Sequence, residues 1–66
     1  MIKVHDHTLN ELELIQVLDK LTQRGVQYAD IYRGNDCIWV ARGSSACPIN
    51  EYYIFNNGQL FDIQID

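Results

Sequence analysis

The chain has 66 residues, 47% of them hydrophobic, and a formal net charge of −4 at neutral pH. That length allows one small domain, and that hydrophobic content excludes a disordered chain. The acidic balance disfavours nucleic acid as a ligand, because contacts to phosphates dominate such affinity. It favours a protein partner with a basic surface, through charge complementarity.

No apolar run approaches the roughly 18–20 residues of a membrane span, and no charged segment followed by an apolar one indicates a signal peptide. The chain begins with Met and carries no tag-like run, so we expect a complete small cytoplasmic protein that does not bind membranes. Cys37 and Cys47 are then expected to be reduced thiols and not a disulfide framework.

Residues 1–5 alternate apolar and polar side chains, which weakly predicts a short first strand. Thr8 and Glu11 then have the spacing of a capping box, in which two side chains satisfy free backbone N–H groups at the start of a helix. We predict a helix over residues 9–24 that ends at Gly25 in the left-handed conformation. One helical stripe is predicted to face the core, and it consists of Leu14, Val17, Leu18 and Leu21. The side chains predicted to face away are those of Glu13, Gln16, Lys20 and Gln23.

Beyond the helix the chain is dense in Val, Ile, Tyr, Phe and Trp, which favour strands. Four strands are predicted, in the segments VQYADIYR, DCIWVAR, EYYIF and QLFDIQI. Two-residue turns at Gly34–Asn35 and Asn57–Gly58 would join them into two hairpins. The predicted fold class is therefore α+β, with one N-terminal helix packed on one face of a mainly antiparallel sheet. The sheet has four strands, or five if the short N-terminal strand joins it.

Turn length fixes the register of a hairpin, and register decides which face each side chain takes. The first turn pairs Ile31 with Ile38, and the second pairs Tyr53 with Asp62. The aliphatic faces of the two hairpins are expected to meet the helix. The residues placed on that side are Ala29, Ile31, Ile38, Val40, Tyr52, Ile54, Phe61, Ile63 and Ile65.

The opposite face is predicted to carry large aromatic residues with acidic residues between them. Exposed apolar patches of this kind mark interaction sites, and Tyr and Trp often supply interface energy. The predicted partner-binding residues are Tyr28, Asp30, Tyr32, Trp39, Tyr53, Phe55, Leu60 and Asp62, with Glu51 on the same face. We expect a non-enzymatic inhibitor or regulator of the phage anti-defence or bacterial immunity-protein type, with Trp39 as the central anchor. No cofactor is predicted.

Several alternatives remain open from the sequence. Two copies could bury the aromatic face in a homodimer, and a partner would then bind at Leu9 and Leu12 or at the loop over residues 43–50. A zinc site could use His5, His7, Cys37 and Cys47, although their spacing matches no zinc finger or ribbon. Aromatic sheets also bind single-stranded RNA, but here only Arg33 and Arg42 lie at the margin of an acidic face. Cys47 has no evident base nearby, so a nucleophilic role is disfavoured.

Overall fold

A computed structural model of the chain describes residues 1–6 and 8–66. In that part of the chain the elements are β1 (Ile2–Val4), α1 (Glu11–Gln23), β2 (Ala29–Arg33), β3 (Cys37–Gly43), β4 (Pro48–Asn56) and β5 (Gln59–Ile65). The strands form one sheet in the order β1-β2-β3-β4-β5. β1 is parallel to β2, and all other neighbours are antiparallel. The predicted α+β fold is confirmed, and the short N-terminal strand is present as the fifth strand.

The start of α1 differs from the prediction. Asn10 is the N-cap, and its side-chain oxygen accepts hydrogen bonds from the N–H groups of Leu12 at 3.0 Å and Glu13 at 3.3 Å. Thr8 instead donates both its N–H and its hydroxyl to the carboxylate of Asp6. The predicted capping box is therefore wrong, because a local turn engages Thr8 and Asn is at least as good an N-cap as Thr.

The end of α1 follows the prediction. Gly25 has a φ of +73°, a conformation that glycine adopts without steric cost. The N–H of Val26 then donates to the carbonyl of Leu21 at 3.0 Å, which satisfies one of the free carbonyls of the last turn.

The predicted helical stripe faces the core. Val17 and Leu21 are buried, and Leu14 and Leu18 pack against the buried cluster. The buried hydrophobic residues are Leu9, Val17, Leu21, Ala29, Ile31, Ile38, Val40 and Tyr53. Leu9 belongs to this core although it precedes the helix, so helical periodicity could not place it.

The first hairpin has the predicted faces but not the predicted register. Ile31 pairs with Val40 and Tyr32 pairs with Trp39, each two residues beyond the expected partner. The cause is a longer turn, closed by a hydrogen bond from the N–H of Gly34 to the carbonyl of Cys37 at 2.9 Å. A shift of two residues leaves every side chain on its predicted face, because side chains alternate with a period of two.

The second hairpin has the predicted turn, since Asn57 and Gly58 both have positive φ. Its faces, however, are reversed in β4. Pairing with β3 places Tyr53 opposite Ile38, so Tyr53 lies on the side of α1 and is fully buried. Tyr52 and the alternate residues of β4 therefore take the opposite face.

A β-bulge interrupts the pairing of β4 with β5. Phe55 pairs with Leu60 as predicted, but Ile54 pairs with Asp62, which leaves Phe61 as the extra residue. Such a bulge moves all later pairs by one residue. The face of β4 is reversed relative to the prediction, and the bulge reverses the alternation again in the rest of β5. Asp62 therefore lies on its predicted face, whereas its neighbours in β4 do not.

Candidate functional site

A stack of aromatic rings crosses the sheet face opposite α1, which we call the open face. The ring of His5 stacks on Tyr32 with centroids 4.5 Å apart and planes at 4°. Tyr32 stacks on Trp39 at 4.5 Å and 18°, and Trp39 meets Tyr52 at 6.4 Å and 28°. We call these four residues the aromatic ladder.

Strand pairing explains the aromatic ladder. The parallel pairing of β1 with β2 places Lys3 beside Asp30, and two residues further on His5 reaches Tyr32. The pairing of Tyr32 with Trp39 continues the ladder. Each successive ring therefore comes from the next strand of the sheet, and backbone hydrogen bonds hold the rings in line.

The rings turn their faces toward each other and their edges toward solvent. Adjacent strands lie about 4.8 Å apart, and the 4.5 Å between the ring centroids of Tyr32 and Trp39 matches that spacing. In such a stack each ring face is covered by the neighbouring ring. The ring edges stay uncovered; they carry partial positive charge, and the Tyr hydroxyls and the Trp N–H lie on them. The exposed side of the ladder can therefore donate hydrogen bonds and pack against apolar groups.

Carboxylates border the aromatic ladder. The Oδ1 atom of Asp30 lies 2.9 Å from the Nε2 atom of His5, and the Asp30 side chain keeps 50% of its surface exposed. Asp62 lies on the same face, opposite Ile54. Of the Lys and Arg residues that the structure describes, strand register places Lys3 on this face, whereas Arg42 points toward the side of α1.

A shallow depression of about 410 Å³ continues the open face past the last ring of the ladder. Its lining residues are Asn35, Asp36, Cys37, Tyr52, Ile54 and Gln64. Burial raises the pKa of the Cys37 thiol, and the charge of Asp36 raises it further. A thiol held in its neutral form is a weak nucleophile, so Cys37 is better suited to packing than to chemistry.

The structure brings together four of the predicted partner-binding residues and separates the others. Asp30, Tyr32, Trp39 and Asp62 lie on the open face. Tyr28 lies just before β2 and is 74% exposed.

Three predicted positions are wrong. Tyr53 is buried, and Phe55 and Leu60 pack against the core beneath α1. The physical reason is the reversed face of β4, which carries Leu60 with it through the pairing of Phe55 with Leu60. Sequence reasoning in turn missed the roles of His5 and Tyr52 in the ladder. In β3, Trp39 alternates with buried residues, and this pattern predicts that Trp39 faces the open side. Placing Tyr52 beside it also required the register of β4.

Glu51 was also predicted on the open face, and this is wrong. Its side chain has no exposed surface and lies on the side of α1. Arg24 binds it with two hydrogen bonds, from Nη1 to Oε1 at 2.8 Å and from Nη2 to Oε2 at 2.7 Å. The Nε of Arg42 donates to Oε2 at 2.9 Å, and the hydroxyl of Tyr53 donates to Oε1 at 3.0 Å.

These contacts set the protonation state of Glu51. Burial favours the neutral acid, but the hydrogen bonds from Arg24, Arg42 and Tyr53 outweigh burial and lower the pKa of the Glu51 carboxyl. Burial and the carboxylate together raise the pKa of the Tyr53 hydroxyl. Glu51 is thus an ionised, fully hydrogen-bonded group that joins the helix to the sheet, and its lone pairs are used by protein donors.

The zinc interpretation includes His7, which lies outside the described residues. Within residues 1–6 and 8–66, no group of three or more His, Cys, Asp or Glu side chains is arranged to hold a metal ion. His5 contacts Asp30 and Tyr32, and Cys47 is exposed in the loop before β4.

Across the described residues, no helix combines the length and the apolar character needed to cross a membrane. Comparison with models of protein families, with curated proteins and with solved structures finds no match. The geometry of the open face is therefore the guide to function.

Proposed function

We propose that this chain is a non-enzymatic acidic binding module, an inhibitor or regulator of the phage anti-defence or immunity-protein type. It binds a protein partner with a basic surface through its open face. The observation that carries the proposal is the aromatic ladder, whose rings are stacked in line on the face that α1 does not cover.

The ladder is suited to binding because it is already ordered. Ordering side chains at an interface costs about 0.5–1.5 kcal/mol for each flexible residue. Tyr32 and Trp39 are held by stacking on each other and by the paired strands beneath them, so little of that cost remains. Aromatic residues also provide large contact areas with few rotatable bonds.

Charge favours a basic partner. Asp30 and Asp62 lie beside the rings, Asp36 lines the adjoining depression, and the whole chain carries a net charge of −4. Such a surface attracts Arg and Lys side chains and speeds association with a positively charged partner. It repels phosphates, and the ring faces that a nucleobase would stack on are already occupied by neighbouring rings.

The experiment is a capture from host lysate followed by measurement of the affinity for the captured protein. We expect Trp39→Ala to weaken binding by about 2 kcal/mol or more, roughly 30-fold, as hot-spot residues do. The matched control is Leu12→Ala, because Leu12 is also a large exposed apolar residue but lies on α1. Asp30→Asn tests the charge and is expected to slow association at low salt.

The outcomes separate the proposal from its rivals. Binding that survives Trp39→Ala in a folded protein, or that is lost in Leu12→Ala, overturns the open face as the binding site. A self-dimer abolished by Trp39→Ala would show that a second copy covers the ladder. Tight binding of single-stranded RNA by the wild-type chain would contradict a protein partner.

A further inference from the structure

The outer edge of β5 has the features of a self-pairing surface. β5 is the last strand of the sheet and spans seven residues, whereas the other edge strand, β1, spans three. Phe61 and Ile65 of β5 are 72% and 62% exposed. Long edge strands with exposed apolar side chains are sites where another strand can add.

Hydrogen bonding shows which backbone groups of β5 point outward. Asn50 and Asp66 exchange both of their backbone hydrogen bonds, at 3.4 and 2.8 Å. Hydrogen-bonded pairs alternate along an antiparallel ladder, so the backbone groups of Gln64 also point toward β4. Those of Ile63 and Ile65 point away from β4, to the open edge.

We propose that this edge pairs, antiparallel, with β5 of a second copy, centred on Ile63. The two sheets then join into one continuous sheet across a two-fold axis. Around that axis Phe61 lies opposite Ile65 of the second copy, and Asp62 lies opposite Gln64. The exposed apolar side chains of β5 thus cover one another, and the Gln64 amide can donate to the Asp62 carboxylate.

Charge selects this register over its neighbours. Only pairings that bring Ile63 and Ile65 toward the second strand use the outward backbone groups, so allowed registers differ by steps of two residues. Shifting the second strand by one such step in one direction places Asp62 directly opposite Asp62 of the second copy. Shifting it in the other direction places Asp62 opposite Asp66 of the second copy. Like charges directly opposite each other destabilise a sheet, so the register centred on Ile63 is favoured.

Lys20 provides a complementary charge. It lines a depression beside Leu60 and Phe61. In the register centred on Ile63, Asp66 of the second copy lies opposite Leu60 and therefore close to Lys20. The pairing thus brings an ammonium and a carboxylate together at each end of the joined strands.

In the single chain a side chain satisfies part of this edge. The Oδ1 atom of Asp62 accepts a hydrogen bond from the N–H of Ile63 at 2.9 Å, in an exposed position. On pairing, that N–H donates to the carbonyl of Ile63 in the second copy, and the Asp62 carboxylate turns to Gln64. One hydrogen bond replaces another, so the exchange itself costs little.

Sedimentation over a range of micromolar concentrations tests the pairing. We expect reversible dimers in the wild-type chain, with the dissociation constant raised about tenfold or more by Phe61→Lys or Ile65→Pro. Pro at residue 65 removes an N–H that does not bond to β4, and such positions on edge strands tolerate Pro. Leu12→Lys is the matched control, because it adds the same charge at an exposed apolar residue of α1, outside β5.

Each result has a defined meaning. A monomer at all concentrations overturns the proposal, as does a dimer broken by Leu12→Lys but not by Ile65→Pro. Trp39→Ala is expected to leave the dimer unchanged, because the ladder lies on the open face. The inference therefore stands or fails separately from the proposed protein-binding function.

Cysteine cross-linking tests the register. In a background with Cys37→Ala and Cys47→Ser, we would mix chains carrying Asp62→Cys with chains carrying Gln64→Cys and oxidise them mildly. Directly opposed residues have Cβ atoms about 4.5–5.5 Å apart, within reach of a disulfide after a small adjustment. A covalent dimer is expected in the mixture and not in either protein alone. Equal cross-linking in the separate proteins, or none in a chain that still dimerises, overturns this register.

Discussion

Arg24 and Glu51 form a bidentate ion pair that joins the end of α1 to the middle of the sheet, with N–O distances of 2.8 and 2.7 Å. A buried carboxylate is costly unless charged partners and hydrogen bonds surround it. Glu51 can therefore lie only on the side of β4 that faces Arg24. That requirement fixes the face of β4. Tyr52 is adjacent to Glu51 in the strand, so its side chain takes the opposite side, on the open face with Trp39.

Glu51→Ala is expected to destabilise the fold by about 3 kcal/mol. The substitution leaves Arg24 and Arg42 without their carboxylate. The loss falls at the lower end for buried ion pairs, because these side chains keep 31% and 24% exposure and can regain water. Urea unfolding followed by circular dichroism measures the change. Glu11→Ala, at an exposed position of α1, is the control, and equal losses in the two variants would contradict a structural role for the pair.

Stability is expected to fall in acid because of Glu51. Its pKa is lower in the folded chain than in the unfolded chain. The ion pairs therefore contribute fully above the unfolded pKa of about 4.3, and their contribution is lost as the pH falls through the folded pKa. Urea midpoints measured from pH 7 to pH 3 should converge for wild type and Glu51→Gln. A constant difference across that range would show that the charge of Glu51 is not responsible.

Local signals were sufficient for much of the fold. The turn at Asn57–Gly58 and the end of α1 at Gly25 depend on residues that accept positive φ, and the structure confirms both. The faces of the first hairpin were also predictable, because Ile31 and Ile38 mark one side clearly and a two-residue error in register does not change sides.

The face of β4 could not be predicted from local pattern. Its apolar residues occupy both alternations, with Tyr52 and Ile54 on one and Tyr53 and Phe55 on the other. The four-residue turn between Gly43 and Pro48 is closed by a hydrogen bond from the N–H of Cys47 to the carbonyl of Ser44. Its sequence carries no two-residue hairpin signal, so the register of β4 could not be predicted from it. The deciding contact is that of Glu51 with a residue 27 positions earlier in the chain. That distance in sequence is why Tyr52 was not placed in the aromatic ladder.

Asn10→Ala is expected to cost about 1 kcal/mol, because it removes the acceptor for two N–H groups at the start of α1. These are the bonds from Leu12 and Glu13. The control is Thr8→Ala, which changes the residue that sequence spacing favoured as the cap. Thermal or urea unfolding should show a clearly smaller loss of stability for Thr8→Ala than for Asn10→Ala. A larger loss for Thr8→Ala would instead support Thr8 as the cap.

Trp39→Ala is expected to destabilise the chain less than Ile38→Ala. The two residues are adjacent in β3 but face opposite sides of the sheet. Loss of Trp39 removes contacts with two rings, worth about 0.5–1.5 kcal/mol each beyond the area that they bury, and the Trp39 side chain is only partly buried. Loss of Ile38, which is 1% exposed, opens a core cavity at a cost of about 3 kcal/mol. Urea unfolding of both variants compares them directly, and greater damage from Trp39→Ala would place Trp39 in the core.

Gln16 anchors the turn between β4 and β5 to the helix, although helical periodicity predicted that it faces away. Its amide nitrogen donates to the carbonyl of Gly58 at 2.7 Å, and its oxygen accepts from the N–H of Leu60 at 2.9 Å. Gln16→Ala should cost about 1–2 kcal/mol, since each such bond contributes roughly 0.5–1.5 kcal/mol. It should also speed amide hydrogen exchange at Leu60, which loses its acceptor. Gln23→Ala, exposed on the same helix, is the control. Unchanged exchange at Leu60 in Gln16→Ala would refute the anchor.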